Sequence, residues 1–185
     1  MRYAVIDVET TGFSPINDRI VEAACVIVED GRIRRTWSSL VNPGRPIPAY
    51  ATRVHGITDD AVADAPRIRS VQSRLRLMCG GATVAAHNAA FDLGFLPGLS
   101  HLPSICTVQL ARRCFPEAPN HKNQTLREYL RIDADPLFAG LPSHRALSDA
   151  LVTAAILLQC IAVQRPTSRR MRRSRFPSRL SCRWF

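Results

Sequence analysis

The sequence predicts an α/β fold in which a mixed five-stranded sheet carries helices on both faces. Three observations lead there. Strand-length apolar runs come first as three consecutive segments joined by tight turns. Shorter apolar runs then alternate with stretches whose apolar residues recur every three or four positions. The composition, 185 residues with 46% hydrophobic and 22% charged, suits one globular domain with a proper core.

The first strand lies in Tyr3 to Phe13, where β-branched and apolar residues run into Asp7 and Glu9 before a Thr-Thr-Gly turn stops them. Arg19 to Val28 alternates as a second strand, and Asp30-Gly31 supplies a tight turn into a third over Arg32 to Val41, giving a meander. Pro43, Pro46 and Pro48 then end the sheet pattern, Ala49 to His55 reads as a short helix before Gly56, and Thr58-Asp59-Asp60 caps a turn ending near Pro66. Ile68, Val71, Leu75 and Met78 mark an amphipathic helix stopped by Gly80-Gly81. Ala82 to Ala86 is a fourth strand, followed through His87 to Asp92 by a helix reaching about Leu96. Ser104 to Thr107 is a fifth, followed by a helix containing Leu110, Ala111 and Cys114. Pro116 to Asn123 reads as loop, Leu126 to Leu130 as a short helix, and Ala134 to Ser143 as a loop delivering His144. From Arg145 to Val163, Leu147, Leu151, Ala154, Leu158 and Ile161 make the longest helix. A ribonuclease H-like layout satisfies this order.

Net charge is +10, but eight of the 25 basic residues fall in residues 164–185 with no acid beside them, leaving 17 against all 15 acids elsewhere. The chain therefore divides into a nearly neutral domain, 1–163, and an Arg-rich tail, 164–185, whose composition cannot bury enough apolar surface to fold alone. The tail reads equally as a tether for phosphates or as a solvated extension. The six cysteines show no Cys-x-x-Cys, and Cys106, Cys114 and His121 lack a fourth zinc ligand, so reduced, mostly buried thiols are expected. Met1 leads directly into the first strand, and no apolar run approaches the roughly 20 residues of a membrane span, so a cytoplasmic protein that makes no membrane contact is expected.

Alternate strand residues share a face, so Asp7 and Glu9 stand side by side at the end of an apolar strand. Two such carboxylates repel and are poorly solvated, for which a divalent cation is the natural remedy. Alternating acids at a solvated strand end have the same pattern, so the pair alone does not decide. Asp92 and Asp149 lie near helix starts, where the dipole favours an anion. His144 and Asp149 are five apart and would not share one helical face, which suits a loop histidine leaning over a site into which the helix projects its acid. An imidazole so placed can take a proton from an attacking water.

Asp7-Val-Glu-Thr-Thr-Gly, His87-Asn-Ala-Ala-Phe-Asp92 and His144-Arg-Ala-Leu-Ser-Asp149 together resemble, in order, the three motifs of the DEDDh 3'-to-5' exonucleases. This class includes exodeoxyribonuclease X and the proofreading subunit of the bacterial replicative polymerase. Ala51 to Thr58 and Ile105 to Arg113 resemble the segments between the motifs, so the likeness covers roughly Tyr3 to Ile161. It implies hydrolysis of DNA 3' ends, single-stranded or frayed, to 5'-mononucleotides, with Mg²⁺ or Mn²⁺ as two ions. By resemblance Asp7, Glu9 and Asp149 hold one ion, Asp7 bridges to the second, Asp92 serves that second ion, and His144 is the general base. The same likeness puts Thr10, Thr11 and Gly12 against the terminal nucleotide, Val54 and His55 in its base and sugar pocket, and Asn88 and Phe91 in the cleft. Phe91 also reads as a core side chain and His87 as a hydrogen-bonded strand-end residue. An exoribonuclease, or a non-catalytic nucleic-acid-binding or polymerase-docking module, remains the alternative, with RNA or a polymerase as the partner.

Overall fold

The computed structural model describes residues 1–164; the rest of the Arg-rich tail lies outside the described residues. Five strands form one sheet in the order β3-β2-β1-β4-β5. β1 (Arg2–Thr10), β2 (Ile20–Glu29) and β3 (Arg32–Leu40) make the expected antiparallel meander. The β2–β3 turn needs two residues at positive φ, supplied by Asp30 (52°) and Gly31 (77°). β4 (Thr83–Ala86) runs parallel to β1, and β5 (Ser104–Cys106) parallel to β4.

The central strand β1 is apolar on both faces because both are covered. Ala4, Ile6 and Val8 point into a core shared with α3 (Ile68–Cys79) and α4 (Ala89–Phe95). Val5 points into the opposite core, made with α5 (Thr107–Cys114), α6 (Asn123–Tyr129) and α7 (Ala146–Gln164). A smaller core under α1 (Ala49–His55) and α2 (Asp59–Val62) gathers Val21, Ile47, Ala51, Ile57 and Val62. On the edge, β3 turns Arg32, Arg34 and Arg35 to solvent, charges that discourage pairing with another chain.

Two expectations are corrected. α6 starts at Asn123, inside the stretch read as loop, because the Asn123 amide donates to Thr153 Oγ1 (2.9 Å) and to the Asp149 carbonyl (3.3 Å) on α7. α7 is long and apolar enough to cross a bilayer by composition, which was not expected of any segment, but more than half of it is buried, and it packs on β1, β2 and β3 as a core helix. The five cysteines among the described residues are free thiols, as expected.

Candidate active site

The face that β1 turns toward α7 changes character along its length. Val5 is core, but the next two residues on that face are Asp7, opposite Ala24 of β2, and Glu9, opposite Glu22. Small side chains here, Ala24, Ala146 and Ala150, let the start of α7 come close to the sheet. Asp149 on the first turn of α7 thereby joins Asp7 and Glu9, with ligand-capable oxygens of all three within 4.8 Å of one another. A slip in the β1–β2 register between Glu9 and Thr10 ends regular pairing just beyond them.

Asp92 reaches the cluster from the other side. β4 pairs with β1 only as far as Val5, and α4 begins just past the end of β4. The Asp92 carboxylate fills the gap by accepting the Val8 N–H at 3.2 Å, and it is buried to 3% exposure. It lies outside the tight trio but is the nearby charge that acts most strongly on Asp7.

Four acids with so little water oppose one another's ionisation. Asp7 is held well above the ordinary carboxylate range, first by burial and then by the charges of Asp92, Asp149, Glu9 and Glu22. Glu9 is pushed up to about 8 by burial and then by Asp149, Glu22 and Asp92, with Arg145 opposing. Asp92 rises to about 7 through burial, offset in part by backbone N–H groups of its own residue and Val8. Burial also raises Asp149, while His144, Arg127 and Gln124 moderate the rise. Carboxylates converging under mutual repulsion fit a hard divalent cation, which takes oxygen ligands and removes the repulsion.

Asp149 is fixed from two sides, its Oδ1 accepting from Gln124 Nε2 (3.1 Å) and its Oδ2 from the His144 backbone N–H (3.1 Å). His144 is exposed, at the rim, with φ of 56°. The preceding loop is clamped by the buried Arg127, which donates to the carbonyls of Phe138 (3.1 Å) and Leu141 (2.9 Å) and pairs with Asp133 (2.8 Å).

The residues expected to meet substrate surround the same strand end. Thr10 Oγ1 donates to the Gly12 carbonyl (2.6 Å), and Thr11 Oγ1 accepts the Arg19 N–H (3.0 Å) and donates to Asp18 (3.2 Å), so both hydroxyls build the turn. Gly12 is needed because a Cβ there would stand 2.5 Å from Asp18 Oδ2. Tyr50, on α1, donates its hydroxyl to the Thr11 carbonyl (2.9 Å) and ties that helix to the turn. His55 is buried, its Nδ1 accepting the Ile57 N–H (3.0 Å), while Nε2 lies toward the Thr10 backbone without completing a hydrogen bond. Val54 is exposed on the same helix. Asn88 is exposed at φ 94°, and the half-buried Phe91 stacks at a tilt between Phe13 and Phe95, in line with its reading as a packed side chain. His87 bridges Thr107 Oγ1 and the His121 carbonyl (2.9 Å each) at the end of β4, as its strand-end reading expected.

Sequence reasoning passed over Glu22, Arg145, Asn123 and Gln124. Only Glu22 carried a signal, as the lone acid among the apolar residues of Ile20 to Val28; the others depend on contacts between elements remote in sequence.

A match to the exonuclease family spans residues 4–157. The DNA polymerase III PolC-type protein of Bacillus cereus is 37% identical over 167 residues, covering 86% of this chain and 11% of that protein. The 3'-5' exonuclease DinG of Bacillus subtilis is 36% identical, covering 93% of this chain and 19% of that protein. The chain thus spans a small part of the length of these curated relatives. Among solved structures, Exonuclease X in complex with 5' overhanging duplex DNA is 38% identical with a TM-score of 0.74, covering 88% of this chain and 92% of that one.

Proposed function

The chain belongs to the exonuclease family, in its DEDDh 3'-to-5' class, and on that premise we propose that it is itself a metal-dependent 3'-to-5' exodeoxyribonuclease of the repair or replication type, working in the cytoplasm. The observation that carries this reading is the convergence of Asp7, Glu9 and Asp149 from two distant elements within 4.8 Å, with Asp92 beside them. Asp7, Glu9 and Asp149 would hold one divalent ion, and Asp7 with Asp92 a second, either Mg²⁺ or Mn²⁺. When bound, such ions stabilise charge on the attacking and leaving oxygens of an in-line displacement at phosphorus.

The chain's own groups supply the rest. His144 at the rim takes the proton of the attacking water. The Thr10-Thr11-Gly12 turn, with the Thr11 hydroxyl held by Asp18 and its carbonyl by Tyr50, presents a rigid edge to the terminal nucleotide. His55, with Nε2 lacking a partner, and the exposed Val54 face the sugar and base, with Asn88 and Phe91 across the cleft. The Arg-rich residues 165–185 would add phosphate-neutralising charge. The PolC-type relative, in which the matching stretch is part of a polymerase protein, favours a second reading for the partner, namely docking to a polymerase.

The test is digestion of 3'-labelled and 5'-labelled DNA, single-stranded and frayed, and of matched RNA, with Mg²⁺, Mn²⁺ or a chelator. Release of 5'-mononucleotides from DNA 3' ends, lost with chelator and in Asp7→Ala, is expected. No metal-dependent mononucleotide release by the wild type, or full activity in Asp7→Ala, would overturn the proposal; preference for RNA would redirect it to the exoribonuclease.

A further inference from the structure

Glu22, the third residue of the apolar strand β2, is 4% exposed and stands directly opposite Glu9 in the register. A carboxylate so deeply buried must have its charge and its lone pairs satisfied. Its partners come from the far end of the chain. Glu22 Oε1 accepts from Arg145 Nη2 at 2.8 Å, and Oε2 accepts from Arg145 Nε at 3.0 Å and from the Ala146 backbone N–H at 2.9 Å. The first two form a fork against the guanidinium, the geometry that fixes direction as well as distance. The third satisfies a free N–H at the first turn of α7, a capping role filled here by a residue 124 positions away.

These bonds bracket one residue of interest. His144 immediately precedes Arg145 and adopts φ of 56°, a left-handed conformation uncommon outside glycine. Such a backbone persists only where its surroundings hold it. Its own N–H is held by Asp149 Oδ2 at 3.1 Å, and the residue that follows is held by Glu22. The direction in which the imidazole leaves the chain is therefore set jointly by Asp149 and by the Glu22–Arg145 fork.

We propose that Glu22, acting through Arg145, is a positioning residue for His144. This rests on the reading of His144 as the general base. Glu22 is not one of the three carboxylates that gather within 4.8 Å, although its charge acts on Asp7 and Glu9. Its carboxylate is needed rather than an amide because three donors converge on it, and a glutamine would turn an NH₂ toward the guanidinium.

The test is a double-mutant cycle with single-turnover cleavage of 3'-labelled DNA, combining Glu22→Gln with His144→Ala. Arg145→Lys serves as a second variant, since it keeps the charge, loses the fork and sits at a half-exposed position. Mn²⁺ binding and thermal melting are measured on every variant. Glu22→Gln and Arg145→Lys are expected to lower kcat by roughly 10- to 100-fold, the usual cost of losing an orienting partner, with KM and Mn²⁺ affinity changed less than about threefold. In the His144→Ala background the same substitutions are expected to cost less than about threefold, because the group they orient is gone. Equal losses with and without His144, or a loss of Mn²⁺ affinity in step with kcat, would overturn the positioning role and leave a helix cap. Undiminished activity in His144→Ala would remove the base itself and with it this proposal, a failure distinguishable from the additive result.

Discussion

Replacing Glu9 with glutamine should make the metal-free protein more stable while abolishing the proposed metal-dependent cleavage. Glu9 has a folded value of about 8 against an ordinary 4.5, so the folded state binds the proton more tightly than the unfolded state does. Protonation then favours folding: the penalty is absent below pH about 4.5, grows as pH rises, and is complete above pH about 8. At pH 7 it amounts to about 3 kcal/mol, taking about 1.4 kcal/mol per pH unit of difference. Glu9 is only partly buried, so solvent screening reduces this, and the new amide must find its own partners; about 1–2 kcal/mol remains. For a domain of this size that is a rise in Tm of roughly 2–8 °C. The assay is thermal melting in chelator at pH 4, 7 and 9, repeated with Mn²⁺. The gain should vanish at pH 4, persist at pH 9, and shrink or reverse with Mn²⁺, which stabilises only the carboxylate cluster that can bind it. A melting temperature at pH 7 and 9 equal to or below wild type in chelator would refute the claim that repulsion and burial of the acids cost stability.

Other outcomes follow from the same geometry. Arg127→Met should destabilise the domain by roughly 2–4 kcal/mol in urea unfolding, because the Phe138 and Leu141 carbonyls lose their donor and Asp133 its partner. Gly12→Ala should cost about 1–3 kcal/mol by the same assay and reduce cleavage, since its Cβ would meet the Asp18 carboxylate that Ser14 and Thr11 hold in place. Wild-type Tm in chelator should fall steadily from mildly acid pH to pH 8, following the raised values of Glu9 and Asp92, and should recover on adding Mg²⁺. Removing residues 165–185 should flatten the salt dependence of DNA binding; an unchanged slope would show that those arginines contact no phosphate.

How far the fold can be read in advance depends on whether its signal is local. β1 is legible because an apolar, β-branched run marks a strand covered on both faces, α7 because its apolar residues recur at three-to-four spacing, and the turn at Asp30-Gly31 because its backbone demands those residues. The acids are legible as a set: Asp7 and Glu9 share a face by strand geometry, and Asp149 falls on the first turn of a helix that crosses them. What stays hidden is whatever rests on side chains meeting across more than a hundred residues. Glu22 looks like one polar letter in an apolar strand, yet its partners are Arg145 and Ala146. The early start of α6 is hidden on a shorter scale, since Asn123 is anchored to Asp149 and Thr153 of α7, the next α-helix along the chain, rather than by any cap of its own. The apolar length of α7 misleads in the opposite direction, because a helix buried against a sheet and one that spans a bilayer share a composition.

The most direct measurement is anomalous diffraction from crystals of the wild type and of Asp7→Asn grown with Mn²⁺. The expected result is a manganese peak about 2.2 Å from oxygens of Asp7, Glu9 and Asp149 in the wild type, lost or sharply weakened in Asp7→Asn. A wild-type crystal with Mn²⁺ bound elsewhere and none among these three carboxylates would contradict the assignment of this strand end as the metal centre.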